Sequence, residues 1–335
     1  MVQRAEVTPG GVATPGQSSR VGWAVATFVA GAILAGQSRM NGELAIHLGH
    51  GLDAALWSFG SGLVVLTTVV LVSHRVRAGF TQLRAALHRR EIRLWQCLGG
   101  IVGGLYVFGQ GYAVPIAGVA LFTIAVVGAQ TVSAILVDRL GLGPAGPVAA
   151  SRGRLVSAGL AVAGVIVAVG GRVSGTSSAV VVPIVLASVV GAMMTVQQAT
   201  NGRVGISSGH AMTTTWLNFA TGAALLLVLC VPAALTGAVG IPVSTHAPWW
   251  SWLGGFVGII VVAVSAVAVR HLGVLQVMIL MLLGQLVAAV GLDALVPETR
   301  GHLTPVVVLG LGLTLLAAVL AARAPRRRLS VGPPT

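Results

Sequence analysis

Four amide side chains form two matched pairs in apolar surroundings. Gln37 and Asn41 are four residues apart, and so are Gln197 and Asn201. On an α-helix, residues at this spacing lie on one face. An amide without a partner in hydrocarbon costs several kcal/mol, so these faces must meet protein or water. We predict that both pairs line a polar cavity. Hydrogen bonds between packed helices, or capping of helix ends by the Asn residues, are the alternatives.

A second group of polar side chains lies within the apolar segments rather than at their ends. Its members carry amide or phenol groups, which can hydrogen-bond a small molecule and fix its orientation. The remaining predicted cavity residues are Tyr106, Gln110, Gln130 and Gln285.

Two carboxylates and two imidazoles stand where apolar segments end or begin. Asp138 and Asp293 close their segments, and His50 and His210 open theirs. An ionisable group in a membrane is a functional candidate, and we favour a role at a helix end or gate for the Asp pair over proton coupling. The His residues either cap helices or titrate near neutral pH.

The composition indicates a membrane protein. Of the 335 residues, 56% are hydrophobic and 8% are charged, whereas a soluble domain carries roughly 25% charged residues. Spanning helices need about 20 apolar residues, and the sequence predicts an all-α integral membrane protein with ten of them. The predicted spans are 21–40, 51–73, 94–113, 115–138, 155–171, 179–200, 210–232, 249–269, 273–295 and 303–322.

The arginines test this count of spans. All 20 basic residues are Arg, and cytoplasmic loops should hold most of them. With the N-terminus inside, only Arg39, Arg172 and Arg300 fall outside. The net charge of +13 is then a consequence of topology with both termini cytoplasmic, and nucleic-acid binding is not predicted. The segment 74–93 is interpreted as a positive loop, with a basic interfacial helix on anionic lipid as the alternative.

The chain repeats itself. Residues 31–62 align without a gap with 191–222, and the shared residues include Gln37/Gln197, Asn41/Asn201, His50/His210 and Phe59/Phe219. Residues 95–140 align in the same way with 250–295, and this block pairs Gln130 with Gln285 and Asp138 with Asp293. The domains predicted are a disordered cytoplasmic tail, two five-helix repeats and a basic cytoplasmic tail, over residues 1–20, 21–171, 179–322 and 323–335.

Five spans separate matching segments. Because five is odd, the second repeat should be inverted relative to the first. Inverted repeats are a feature of many secondary transporters, whose site lies near the midplane between the repeats. The predicted site therefore lies between spans 1, 3 and 4 and their counterparts 6, 8 and 9.

The repeated pattern Gly-x5-Gln-x3-Asn, followed by Gly and by Ser/Asn-Phe-x2-Gly, resembles the YdcZ-like family of the drug/metabolite transporter (DMT) superfamily. The stretch from Leu94 to Gly141 resembles the same family, and the resemblance covers about residues 21–322. It implies a DMT/EamA-like fold of two inverted five-helix bundles and export of small molecules. The second half departs from the first at Tyr106, Tyr112 and Pro115, which align with Val261, Val267 and Arg270.

The sequence contains no acid pair, metal cluster, nucleophile–base motif or Walker loop, so we predict neither an enzyme nor a bound cofactor or metal. The predicted function is a secondary transporter in the inner membrane, exporting a small molecule by alternating access. Its energy would come from an ion gradient, such as a proton gradient, or from the gradient of its substrate. A non-transporting membrane scaffold and a membrane-embedded lipid-modifying enzyme are the alternatives, and the oligomeric state is left open.

Overall fold

The computed structural model describes residues 17–144, 146–173, 178–235, 246–272, 274–301 and 303–324. Most of both predicted tails, up to residue 16 and from residue 325, lies outside the described residues. Short 3-10 helices cover Leu94–Leu98, Ser178–Val180 and Trp249–Leu253. The α-helices are α1 (Gln17–Leu48), α2 (Gly51–Val72), α3 (His74–His88), α4 (Gly100–Arg139), α5 (Arg152–Val173), α6 (Val181–Ser208), α7 (Ala211–Leu235), α8 (Gly254–Leu272), α9 (Val274–Leu295), α10 (Pro297–Arg300) and α11 (Pro305–Arg323).

Eight helices among the described residues are long and apolar enough to cross a membrane. The longest run, Leu94–Arg139, covers two predicted spans in 46 residues, about twice what one crossing needs. No polar loop divides it. Instead, Gly118 interrupts α4 with φ 84° and ψ 164°, a backbone conformation that favours glycine. A shorter apolar helix, Trp249–Ser265, corresponds to the predicted span 249–269.

Helices α1 and α6 run beyond their predicted ends at residues 40 and 200. Each continues to a glycine in the left-handed region, Gly49 at φ 83° and Gly209 at φ 63°, which is a common helix terminator. Asn41 and Asn201 therefore lie inside helices, and the suggestion that they cap helix ends was wrong. The N-terminal end of α1 also differs, because the helix begins at Gln17, inside the predicted tail.

The segment 74–93, interpreted as a loop, contains the 15-residue helix α3. Its buried residues follow helical spacing and include Val76, Gly79 and Leu83. They pack against α6 and α7, and the hydroxyl of Thr213 donates to the backbone oxygen of Val76 at 3.1 Å. The arginines of this helix remain exposed on the opposite face. Packing on protein thus explains why the segment is helical.

Matched residues of the two repeats contact each other reciprocally. The rings of Phe59 and Phe219 lie 5.0 Å apart between α2 and α7. A Cβ on Gly62 would lie 2.2 Å from Phe219, and a Cβ on Gly222 would lie 2.2 Å from Phe59. Such exchanged contacts are typical of two units related by a two-fold axis.

The same exchange holds further along the helices. Gly31 of α1 packs on the backbone of Met281 in α9, and Gly191 of α6 packs on the backbone of Val126 in α4. The two backbones approach because glycine has no side chain, the usual basis of close helix contacts in membranes. Each first helix of a repeat is thereby held mainly by helices of the other repeat.

Candidate functional site

A buried polar cluster joins α1, α2 and α4. The amide nitrogen of Asn41 donates to Oε1 of Gln110 at 2.7 Å, and its oxygen accepts from the hydroxyl of Ser58 at 2.6 Å. Nε2 of Gln110 donates to Oγ of Ser38 at 2.8 Å. All four side chains are buried. We call Ser38, Asn41, Ser58 and Gln110 the Asn41 cluster, and its satisfied amides bind the three helices together.

Tyr106 extends the Asn41 cluster toward α9. Its side chain lies close to those of Gln110, Ser38 and Gln285, and its ring lies 5.7 Å from that of Phe122. Both Tyr106 and Gln285 are buried. Four of the predicted cavity residues, Asn41, Tyr106, Gln110 and Gln285, therefore lie together where α1, α4 and α9 meet.

The matched glutamines bridge the two repeats. Nε2 of Gln37 donates to the backbone oxygen of Gly254 at 2.9 Å, where α8 begins. Gln197 lies beside the counterpart glycines Gly99 and Gly103, and its Nε2 donates to Oδ1 of Asn218 at 3.4 Å. The Oε1 of Gln197 is buried without a hydrogen-bond partner among the described residues. A buried free acceptor of this kind can receive a donor from a ligand.

Asn201 and Gln130 lie in different surroundings from the Asn41 cluster. Asn201 is half-buried, with its oxygen near Gly99. Gln130 is half-buried on the part of α4 that follows Gly118, and its backbone oxygen accepts from the hydroxyl of Thr195 at 3.4 Å. The hydrogen bonds of the Asn41 cluster join its own four members and include neither of these residues.

The two matched carboxylates have different partners. Asp293 is buried, and its two oxygens accept from the backbone amides of Val119 and Ala120 at 3.0 and 2.8 Å. These amides follow Gly118, so Asp293 of α9 caps the second part of α4. Asp138 instead pairs with Arg154 of α5 at 2.5 Å.

The two histidines occupy equivalent cap positions. Nδ1 of His50 accepts from the backbone amide of Leu52 at 3.1 Å, and Nδ1 of His210 accepts from that of Met212 at 3.3 Å. Each ring thereby satisfies an amide that has no partner within its helix. Both histidines are half-buried.

Several buried or half-buried polar residues were not predicted from the sequence. Ser58 and Asn218 occupy the variable position of the repeated Ser/Asn-Phe-x2-Gly pattern, so the pattern itself carried the signal. Asp53 is a buried carboxylate near the start of α2, but its counterpart Thr213 is uncharged, so the repeat gave no indication of it. Within the described residues, no group of three or more His, Cys, Asp or Glu side chains could hold a metal ion.

Comparison with known proteins supplies the family. A sequence model described as "Putative inner membrane exporter, YdcZ" matches residues 22–167 and again residues 182–320. These two matches cover most of the chain and fall on its two halves. No curated protein matches the chain. The family is one of membrane exporters rather than enzymes, and the apolar helices agree with a multi-pass protein of the inner membrane. The chain belongs to the YdcZ family of DMT-type inner membrane exporters.

Proposed function

We propose that this protein is a secondary transporter that exports a small molecule by alternating access between two inverted five-helix repeats. Ten spans result if Gly118 divides Leu94–Arg139 into two crossings and α8 provides another. The family supports export in general. The odd number of spans per repeat and the reciprocal packing of Phe59 and Phe219 support the inverted arrangement.

The observation that carries the proposal is a difference in packing between equivalent ends of the two repeats. Asn41 is fully buried against α4, whereas its counterpart Asn201 is half-buried. Gly42 packs against Val114 of α4, whereas its counterpart Gly202 packs against Pro144 of a loop. One end of the pathway is then closed between helices of a single repeat while the equivalent end is not, which is what alternating access requires.

The arginines favour one assignment of sides to these ends. α3 carries exposed arginines and packs beside the C-terminal end of α6, which supports a cytoplasmic position for the Asn201 end under the positive-inside rule. The Asn41 end would then face outward. On this assignment the Asn41 cluster would close the outer end, whereas Asn201 makes no equivalent hydrogen bond among the described residues at the cytoplasmic end.

A substrate would bind between the repeats, where Gln37, Tyr106, Gln197 and Gln285 are buried. Their amide and phenol groups offer donors and acceptors but no fixed charge. The unpaired Oε1 of Gln197 favours a substrate that presents an N–H or O–H donor. Release to the outside would require separation of the Asn41 cluster, which contributes only neutral hydrogen bonds of about 0.6–2 kcal/mol each in a membrane.

Transport by the full chain in proteoliposomes tests this proposal. We expect efflux of at least one compound from a panel of small polar and amphipathic molecules, above the rate of empty liposomes. Gln197→Leu should lower that efflux about tenfold or more, because it removes a polar contact from the cavity. The neighbouring exposed amide provides the control, and Gln198→Leu should leave efflux unchanged. Folded protein that moves no compound, or equal effects of the two variants, would contradict the proposal.

The proposed orientation has its own test. Ile46 and Ile206 are matched residues, 54% and 71% exposed, near the ends of α1 and α6. In a chain without Cys97 and Cys230, Ile46→Cys should react with a membrane-impermeant thiol reagent in intact cells. Ile206→Cys should react only in everted vesicles. The reverse pattern would show that the termini lie outside.

A further inference from the structure

A cleft of about 560 Å³ opens where α3 ends, lined by Leu87, Arg90, Ile92, Arg93 and Leu94. Two arginines thus line the cleft together with three aliphatic residues. Within the described part of the chain, neither of these two arginines forms an ion pair with a carboxylate. The acidic residue between them, Glu91, pairs with Arg89 at 2.8 Å. The cleft therefore holds two uncompensated positive charges beside an apolar lining.

The backbone that carries these charges is fixed. Arg90 has φ 59°, the one non-glycine residue with positive φ among those described, and this conformation turns the chain sharply after α3. The amide of Arg93 donates to Oε1 of Gln96 at 2.8 Å. Ile92, between them, is buried with Leu83 and Cys97. The cleft is thus built into a packed corner, which lowers the entropy lost when a ligand binds.

Large apolar side chains are exposed next to the cleft. Leu94, Trp95 and Leu98 are 70%, 44% and 42% exposed, and they begin the apolar run Leu94–Arg139. A tryptophan at the end of a membrane helix is typical of the headgroup level. The two arginines of the cleft therefore stand at the depth of lipid headgroups, with lipid-facing side chains immediately beside them.

We propose that this cleft binds the phosphodiester headgroup of an anionic phospholipid. Guanidinium groups pair with phosphate oxygens through two parallel hydrogen bonds, and the acyl chains would lie along Leu94 and Leu98. Exposed arginines on α3 add an attraction to the anionic surface that does not depend on the cleft. A soluble phosphate would use the charges but not the apolar lining. Neither the family description nor the transport cycle requires this site.

Lipid binding to the purified, delipidated full chain tests the proposal. Thermal unfolding would be followed with phosphatidylglycerol, with phosphatidylcholine and with inorganic phosphate. A ligand that binds the folded state raises the melting temperature, and we expect phosphatidylglycerol to bind at least tenfold more tightly than phosphatidylcholine. Arg90→Gln together with Arg93→Gln should weaken the binding of phosphatidylglycerol at least about 30-fold, because each substitution removes charge-assisted hydrogen bonds to the phosphate, which contribute about tenfold or more.

A matched pair of arginines separates the cleft from the general surface charge. Arg75 and Arg84 are exposed on α3 outside the cleft, and Arg75→Gln with Arg84→Gln makes the same change in charge. This control should weaken the binding of phosphatidylglycerol by no more than about threefold, because distant exposed charges are screened. Equal losses of affinity in the two double variants would overturn the proposed cleft site, because general electrostatic attraction would then explain the binding.

The unaltered protein provides a second measurement that does not depend on a variant folding. Native mass spectrometry of the chain from mixed bilayers should retain phosphatidylglycerol in preference to phosphatidylcholine. Equal retention of the two lipids would overturn the proposal. Inorganic phosphate that stabilises the protein as well as phosphatidylglycerol would also overturn it, since the cleft would then be a simple anion site.

Discussion

The C-terminal ends of α1 and α6 have related sequences but different packing. At the α1 end, the fully buried Asn41 bonds to Gln110 of α4 at 2.7 Å. At the α6 end, Asn201 is half-buried, and the position equivalent to Gln110 is Ser265. The hydroxyl of Ser265 donates to the backbone of its own helix, at Val261, at 2.6 Å. A hydrogen bond between two side-chain amides thus links α1 to α4 at one end, and the other end has no equivalent of it among the described residues.

The carboxylates extend the comparison. Asp293 caps the second part of α4 through two backbone amides, and that segment begins close to the Asn41 end of the pathway. Asp138, its counterpart, pairs with Arg154 of α5. If the repeats exchange conformations, Asp138 would leave Arg154 and cap the start of α9 in the other state. The Arg154 side chain is only 6% exposed, so that exchange must give its guanidinium a new partner or water, because a buried charge left unpaired costs about 3–5 kcal/mol.

In the proposed transport cycle, this difference would separate a fixed centre from mobile ends. The packing of Phe59 and Phe219 follows the repeat closely, so the centre could serve as the axis of motion. The ends pack differently, so two arrangements of similar sequence could alternate there. Transitions of this kind need two packings that differ by only a few kcal/mol, and repeated helices provide them.

The largest expected effect comes from locking the closed end. A Cβ on Gly42 would lie 3.1 Å from Cβ of Val114, close to the spacing of about 3.8 Å in a disulfide. In a chain with Cys97→Ala and Cys230→Ala, we expect Gly42→Cys/Val114→Cys to crosslink on oxidation. Efflux should then fall at least about 100-fold and recover on reduction, because α1 and α4 can no longer separate.

The single variants Gly42→Cys and Val114→Cys, oxidised in the same way, are the controls and should keep their efflux. A crosslinked protein that transports at the full rate would show that this end never opens. The comparison between the two ends would then describe a static asymmetry rather than one half of a cycle.

Both matched glycines at the centre should resist substitution. Gly62→Ala and Gly222→Ala each place a Cβ 2.2 Å from a phenyl ring of the opposite repeat, and overpacking of this kind costs about 1–3 kcal/mol. We expect both variants to lose stability in reversible denaturation in mixed micelles, and Gly222→Ala to lose more, because its Cβ would also lie 2.7 Å from the backbone oxygen of Gly100. Gly60→Ala is the control, because no heavy atom lies within 4 Å of its Cβ. A loss in only one of the two variants would mean that the centre is not packed reciprocally.

Much of the architecture was accessible from the sequence. Long apolar runs predicted the membrane helices. The repeated Gln, Asn, His and Phe residues pointed to the family, and the comparison with known families confirms that family. The helix ends were less accessible, because hydropathy reports where apolar residues stop rather than where a helix stops. α1 and α6 continue through Asn41 and Asn201 until Gly49 and Gly209 end them.

The connections within the site could not be predicted. Spacing along one helix placed Gln37 and Asn41 on one face, but their partners, Gly254 and Gln110, come from helices far away in sequence. The repeat suggested equal roles for equal residues. It does not encode a conformational state, and two identical side chains can therefore lie in different environments.

The smallest expected effect, and the most direct on the comparison, comes from the two asparagines. Asn41→Ala leaves Ser58 and Gln110 without their amide partner, which should cost the closed end about 1.4 kcal/mol. Crosslinking of Gly42→Cys/Val114→Cys should then slow, by at most about tenfold, because the population of the closed state falls. Asn201→Ala removes the same side chain from the half-buried position and should leave the crosslinking rate unchanged. If both substitutions slow crosslinking equally, the Asn41 cluster does not hold this end closed, and the reciprocal packing at the centre must do so instead.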